Sequence, residues 1–124
     1  MQDADGRMLK FGGKRVYLAC GPTDMRKQIN GLSAKVQTDF AQDPFGGALF
    51  VFCNRQRNRL KVLEWDGDGF WLYLKRLERG RFRWPEANNG ELMPLSAEEF
   101  EVLIGSAKLI QKLRRQEIRS GRLF

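Results

Sequence analysis

The chain has 124 residues, 42% hydrophobic and 30% charged, and this length predicts one small domain whose core needs neither disulfide staples nor a structural metal. Histidine is absent and the two cysteines, Cys20 and Cys53, form no C-x-x-C pair, which excludes Ser-His-Asp hydrolysis, HExxH proteolysis and a histidine-containing zinc site. Lys and Arg number 22 against 15 Asp and Glu, a net charge of +7 with 14 arginines, which favours a polyanionic partner and leans towards nucleic acid more than towards simple solubility, since guanidinium groups grip phosphate at two points and stack on bases.

Residues 1–14 are polar and Gly-rich, read as a flexible lead-in without an apolar signal core, and no run reaches the ~18 to 20 apolar residues of a membrane span. A cytoplasmic protein with reduced thiols is expected. Arg15–Cys20 (RVYLAC) predicts a short strand stopped by Gly21-Pro22. Met25, Ile29, Leu32, Val36 and Phe40 then recur at helical spacing, predicting a long amphipathic helix with Thr23 as N-cap and Asp24 in its first turn. Asp43-Pro44 and Gly46-Gly47 end it.

From Ala48 to Trp84 the pattern predicts an antiparallel meander. Ala48–Cys53 (ALFVFC) is a continuous apolar run, hence a strand buried on both faces. Arg59–Trp65 and Phe70–Leu77 flank Asp66-Gly67-Asp68-Gly69, a hairpin turn, and Arg81–Trp84 reads as a short last strand. Ser96 with Glu99 is a capping box and Leu95 with Phe100 a hydrophobic staple, so a helix starts at Ala97. The expected architecture is α+β over residues 15–105: a meander, one long helix on a face and a shorter C-terminal helix. Residues 106–124 form a basic tail compatible with a helix.

Four segments in order, Val16–Cys20, Gly21-Pro22-Thr23-Asp24-Met25-Arg26-Lys27, Trp65-Asp66-Gly67-Asp68-Gly69-Phe70 and Leu77-Glu78-Arg79-Gly80-Arg81-Phe82, carry a likeness over about Lys14 to Gly105. The chain resembles the TnpB-type, second-frame accessory proteins of the insertion sequence sixty-six family of bacterial transposable elements. That resemblance implies a part in transposition beside a DDE-type transposase and a small basic partner protein, with no catalytic assignment and no cofactor.

The residues themselves suggest where contact occurs. Arg55, Arg57, Arg59 and Lys61 alternate, so in an extended segment they share a face and can track consecutive phosphates. The competing reading is a solvated loop and strand edge. Lys75, Arg76, Arg79, Arg81 and Arg83 form a second basic group, interleaved with Phe82 and Trp84. The two groups lie in alternate turns of a meander and are expected to converge, leaving Asp66 and Asp68 at the opposite, acidic end. Trp71, Tyr73 and Trp84 are either core or anchors for a partner. Arg26 and Lys27 reach a phosphate or an acidic partner from the first turn of the helix, unless that turn only serves capping. Glu64, Asp66 and Asp68 are the sole candidates for a metal site, and their spacing suits a hairpin better. The acidic run Glu98, Glu99 and Glu101 offers macrodipole compensation or a dock for a basic protein. The expected function is a non-catalytic transposition factor that contacts element DNA, the alternative being an adaptor that docks the transposase without touching DNA.

Overall fold

The computed structural model describes the backbone of residues 13–86 and 90–113 and the side chains up to residue 105. Residues 1–12 of the lead-in and 114–124 of the tail lie outside the described residues. In chain order the elements are β1 (Val16–Ala19), α1 (Ile29–Phe40), β2 (Leu49–Cys53), β3 (Arg59–Trp65), β4 (Phe70–Arg76), β5 (Leu92–Leu95) and α2 (Ala97–Leu113).

The class is α+β, with one five-stranded sheet in the order β4-β3-β2-β1-β5. Only β2, β3 and β4 form the expected meander. β1 runs parallel to β2, with Val16 opposite Leu49 and Leu18 opposite Val51, because the intervening chain crosses over through α1. β5 closes antiparallel on the far side of β1 and tolerates Pro94 as an edge strand. No strand forms over Arg81–Trp84. Those residues fold across the sheet instead, and Gly21 donates its amide to the Pro85 carbonyl at 3.0 Å.

Both faces of the sheet are covered, which explains the unbroken apolar run of β2: all five of its residues are buried. On one face Val16, Leu18, Leu49, Val51, Leu60 and Val62 pack under Phe82, Trp84 and Phe100 of α2. On the other, Ala19, Phe50, Phe52 and Leu63 pack under Leu32 and Val36 of α1. Met25, Ile29 and Phe40 belong to this second layer, as their spacing predicts.

The helix on that stripe is shorter than expected. Thr23 is buried and does not cap it; its amide donates to the Cys53 carbonyl at 2.8 Å, extending the pairing of β1 and β2 past the strand ends. Asp24 then closes a turn by accepting from the Arg26 amide at 2.9 Å, so α1 starts only at Ile29, with Gln28 as an N-cap that makes no side-chain bond. α1 has 12 residues and α2 has 17, the reverse of the expected lengths. α2 runs through Gly105, since a glycine inside a helix costs only about 1 kcal/mol and packing on the sheet outweighs it. Its start is the predicted capping box: Glu99 donates its amide to Ser96 Oγ at 3.0 Å, and Ser96 donates its own to Glu99 Oε1 at 2.8 Å. Cys20 and Cys53 are free and buried, and burial pushes the Cys53 thiol up to about 12, so neither is set up for thiolate chemistry.

Candidate nucleic-acid interface

Three loops meet at one end of the sheet: the chain after β1, the turn between β2 and β3, and the segment after β4. Backbone bonds join them. Phe82 donates to the Arg57 carbonyl at 2.7 Å, Leu77 to Asn58 at 2.8 Å and Thr23 to Cys53 at 2.8 Å. The Asn54 side chain organises the middle loop, its Oδ1 accepting from the amides of Asn58 and Arg59 at 3.0 Å each. Arg57 takes a left-handed conformation there, φ 64°, so the loop reverses direction and the basic residues do not follow the straight alternation expected of a strand.

This end collects Arg26, Lys27, Arg55, Arg57, Arg59, Arg76, Arg79, Arg81 and Arg83, and all but the half-buried Arg57 are exposed. Carboxylates engage three of them. Arg26 pairs with Asp24 at 2.7 Å, Arg76 with Glu78 at 2.9 Å, and Arg57 with Glu86. The Arg26 bonds hold the Asp24 carboxyl well below the usual carboxylate range. Among the described residues, Lys27, Arg55, Arg59, Arg79, Arg81 and Arg83 form no ion pair. Arg59 and Arg76 stand directly opposite each other on β3 and β4, a like-charge pairing that costs stability unless an anion lies between them.

Two expected phosphate contacts have other work. Lys61 is buried on the α1 side of β3, and its ammonium donates to the carbonyls of Met25 at 3.0 Å and Lys27 at 2.8 Å. Burial pushes its pKa below the ordinary lysine value. It cannot track phosphates beside Arg59, because its ammonium is held under the chain that leads into α1, whereas Arg59 at the end of β3 is exposed. Lys75 lies on the other face, where its ammonium donates to the Ile104 carbonyl of α2 at 2.5 Å.

The aromatic candidates separate as well. Trp84 is a core residue rather than an anchor: it is 7% exposed and its indole N–H donates to the Ala19 carbonyl at 3.0 Å. Tyr73 is half-buried, donating its hydroxyl to Glu64 at 2.6 Å; burial, and then that carboxylate, raise its pKa. Trp71 is 54% exposed, stacks on Tyr73 with ring centres 6.1 Å apart, and donates its indole N–H to Asp66 at 2.6 Å.

The described acidic residues do not assemble into a metal centre. Glu64 is buried against Tyr73 and the Lys14 ammonium, while Asp66 closes the hairpin by accepting from the Asp68 and Gly69 amides and the Trp71 indole. Among the described residues no cluster of three or more Cys, Asp or Glu side chains could hold a metal ion. Nor is any helix among them long and apolar enough to cross a membrane.

What sequence reasoning missed is the third loop. Arg26 and Lys27 were separated from the other cations by a whole helix and strand in the chain, and only the parallel placement of β1 beside β2 brings them to the same end. The one signal available was the crossover helix itself, which permits parallel neighbours.

Comparison with known proteins gives a family. The model described as "IS66 Orf2 like protein" matches residues 14–114, past the Gly105 limit read from the motifs. Two proteins of Sinorhizobium fredii are similar to the chain. The uncharacterized protein y4jC is 40% identical over 92 residues, covering 74% of this chain and 78% of the relative. The uncharacterized protein y4hO is 46% identical over 78 residues, covering 63% and 68%. No solved structure gives a significant match.

Proposed function

The chain belongs to the IS66 Orf2-like family, whose members are associated with transposition, and from that premise we propose that it is a non-catalytic accessory factor that contacts element DNA through the basic end of its sheet. The observation that carries this reading is the convergence of three loops on one end, where Lys27, Arg55, Arg59, Arg79, Arg81 and Arg83 have no carboxylate partner among the described residues. Phosphates spaced along a duplex would neutralise that surface and relieve the opposed Arg59 and Arg76. With a DDE-type transposase supplying the chemistry, a factor of this kind needs no active site of its own. It binds the element, and through its other surfaces the transposase or a small basic partner, in the cytoplasm where the DNA lies.

A salt titration of binding to duplex DNA tests this. Each phosphate contact contributes about 0.9 to the slope of log K against log salt, so the triple variant Arg55→Ala, Arg59→Ala, Arg81→Ala should lose about 2 to 3 from it while folding normally. All three side chains are exposed, so no core contact is lost. An unchanged affinity and slope would move the adaptor reading ahead. That second reading draws on Phe45, Trp71 and Leu74, large apolar side chains that are 50%, 54% and 61% exposed.

A further inference from the structure

β4 is an edge strand. Among the described residues it pairs only with β3, and the pairing fixes which of its backbone groups point outward. Leu77 donates to the Asn58 carbonyl and the Gly69 carbonyl accepts from Asp66, so odd-numbered residues bond to β3 and the amides and carbonyls of Phe70, Leu72, Leu74 and Arg76 face away from the sheet. The strand is seven residues long and contains no proline or bulge to blunt that edge. Among the described residues Leu74 is the most exposed of the large apolar side chains, at 61%.

We propose that this edge pairs antiparallel with the β4 of a second copy, about a two-fold axis through Tyr73. In that register Leu72 lies opposite Leu74 of the other copy, and Phe70 opposite Arg76. All seven residues of the strand find a partner, and about eight main-chain hydrogen bonds form between the outward-facing groups. The side-chain matches are favourable: the leucines cover each other, and the guanidinium of Arg76 meets an aromatic face. A parallel pairing would instead stack Arg76 on Arg76.

Charge selects the same arrangement. β4 runs from the acidic Asp66–Gly69 hairpin to the basic end of the sheet. Antiparallel docking sets the hairpin of each copy, with Asp66 and Asp68, beside the Arg79 turn of the other, whereas a parallel dimer would join the two basic ends. The result is a continuous ten-stranded sheet with one basic end at each side, the two facing in opposite directions. This inference does not rest on DNA contact, and its test contains no DNA.

Sedimentation equilibrium of the full chain over a concentration series up to about 1 mM should show a reversible monomer–dimer equilibrium. Leu74→Lys, a change at an exposed position, should shift the equilibrium at least tenfold towards monomer with an unaltered circular dichroism spectrum. A second measurement reads the register and does not depend on that variant. Leu72→Cys and Leu74→Cys proteins, mixed and oxidised, should form a disulfide-linked heterodimer, since opposed residues lie about 5.5 Å apart at their Cα atoms. Each alone should cross-link poorly, because identical residues are then diagonal and about 7–8 Å apart. A chain that stays monomeric across the series, a dimer indifferent to Leu74→Lys, or single variants that cross-link as readily as the mixture would each overturn the proposal.

Discussion

The Lys61 ammonium holds the two carbonyls that precede α1, those of Met25 and Lys27, and so ties the loop after β1 to the middle of the sheet. Lys61→Met keeps the length of the side chain but leaves both acceptors without that donor, which should cost about 1 to 3 kcal/mol in urea denaturation. The variant should keep the salt slope of DNA binding, since the ammonium is turned away from solvent. Its pH dependence has a definite sign. Burial lowers the Lys61 pKa in the folded state, so between that value and the ordinary lysine value of 10.5 the unfolded chain holds the proton more tightly. Burying the charge therefore subtracts from what the two hydrogen bonds contribute; that cost is absent above 10.5 and is felt in full once pH falls below the folded value. Subtracting the stability curve of Lys61→Met from that of the parent should give a difference that rises with pH across this window; a flat difference would contradict the assignment.

At the scale of elements, α2 depends on its first turn. Ser96 and Glu99 satisfy each other's amides, Glu98 and Glu99 complement the helix dipole, and Phe100 is 1% exposed in the core. Ser96→Ala removes one half of the box and should destabilise the fold by about 1 kcal/mol. Because α2 covers the face that holds Phe82 and Trp84, hydrogen exchange should show the loss first in α2 and then in the Phe82 and Trp84 amides. If the extra exchange appears instead in α1, on the opposite face, the two layers are coupled more tightly than their separate packing implies.

For the whole molecule the decisive property is electrostatic polarity. Asp66 and Asp68 occupy the far end of β4 from the Arg79 turn, a strand of seven residues or about 23 Å. That separation exceeds the Debye length of about 8 Å at physiological salt, so charge at the hairpin should hardly affect phosphate bound at the basic end. Two substitutions of equal charge change make the comparison. Gln56→Lys, beside Arg55 and Arg57, should tighten duplex binding and steepen the salt slope by about 0.9; Asp68→Asn should leave both nearly unchanged at protein concentrations too low for dimerisation, where no second copy sets its hairpin beside the Arg79 turn. Equal effects would show that net charge alone, and not a located surface, governs binding.

Much of this arrangement was legible in the chain before its structure. Local signals sufficed where a residue answers to its neighbours in sequence: the capping box at Ser96, the apolar stripe from Met25 to Phe40, the hairpin at Asp66–Gly69 and the doubly buried run of β2 each depend on spacing alone. Tertiary structure decided everything that depends on which strands become neighbours. Nothing local says that β1 lies parallel to β2, yet that pairing brings Arg26 and Lys27 to the end that carries Arg55 and Arg81. Nor does alternation reveal that α2 covers the second face, and with it that Lys61, Lys75 and Trp84 turn inward while Arg59 and Trp71 remain exposed. Periodicity shows that two residues share a face of a strand; whether that face meets water, a helix or another chain is set by packing between segments far apart in sequence.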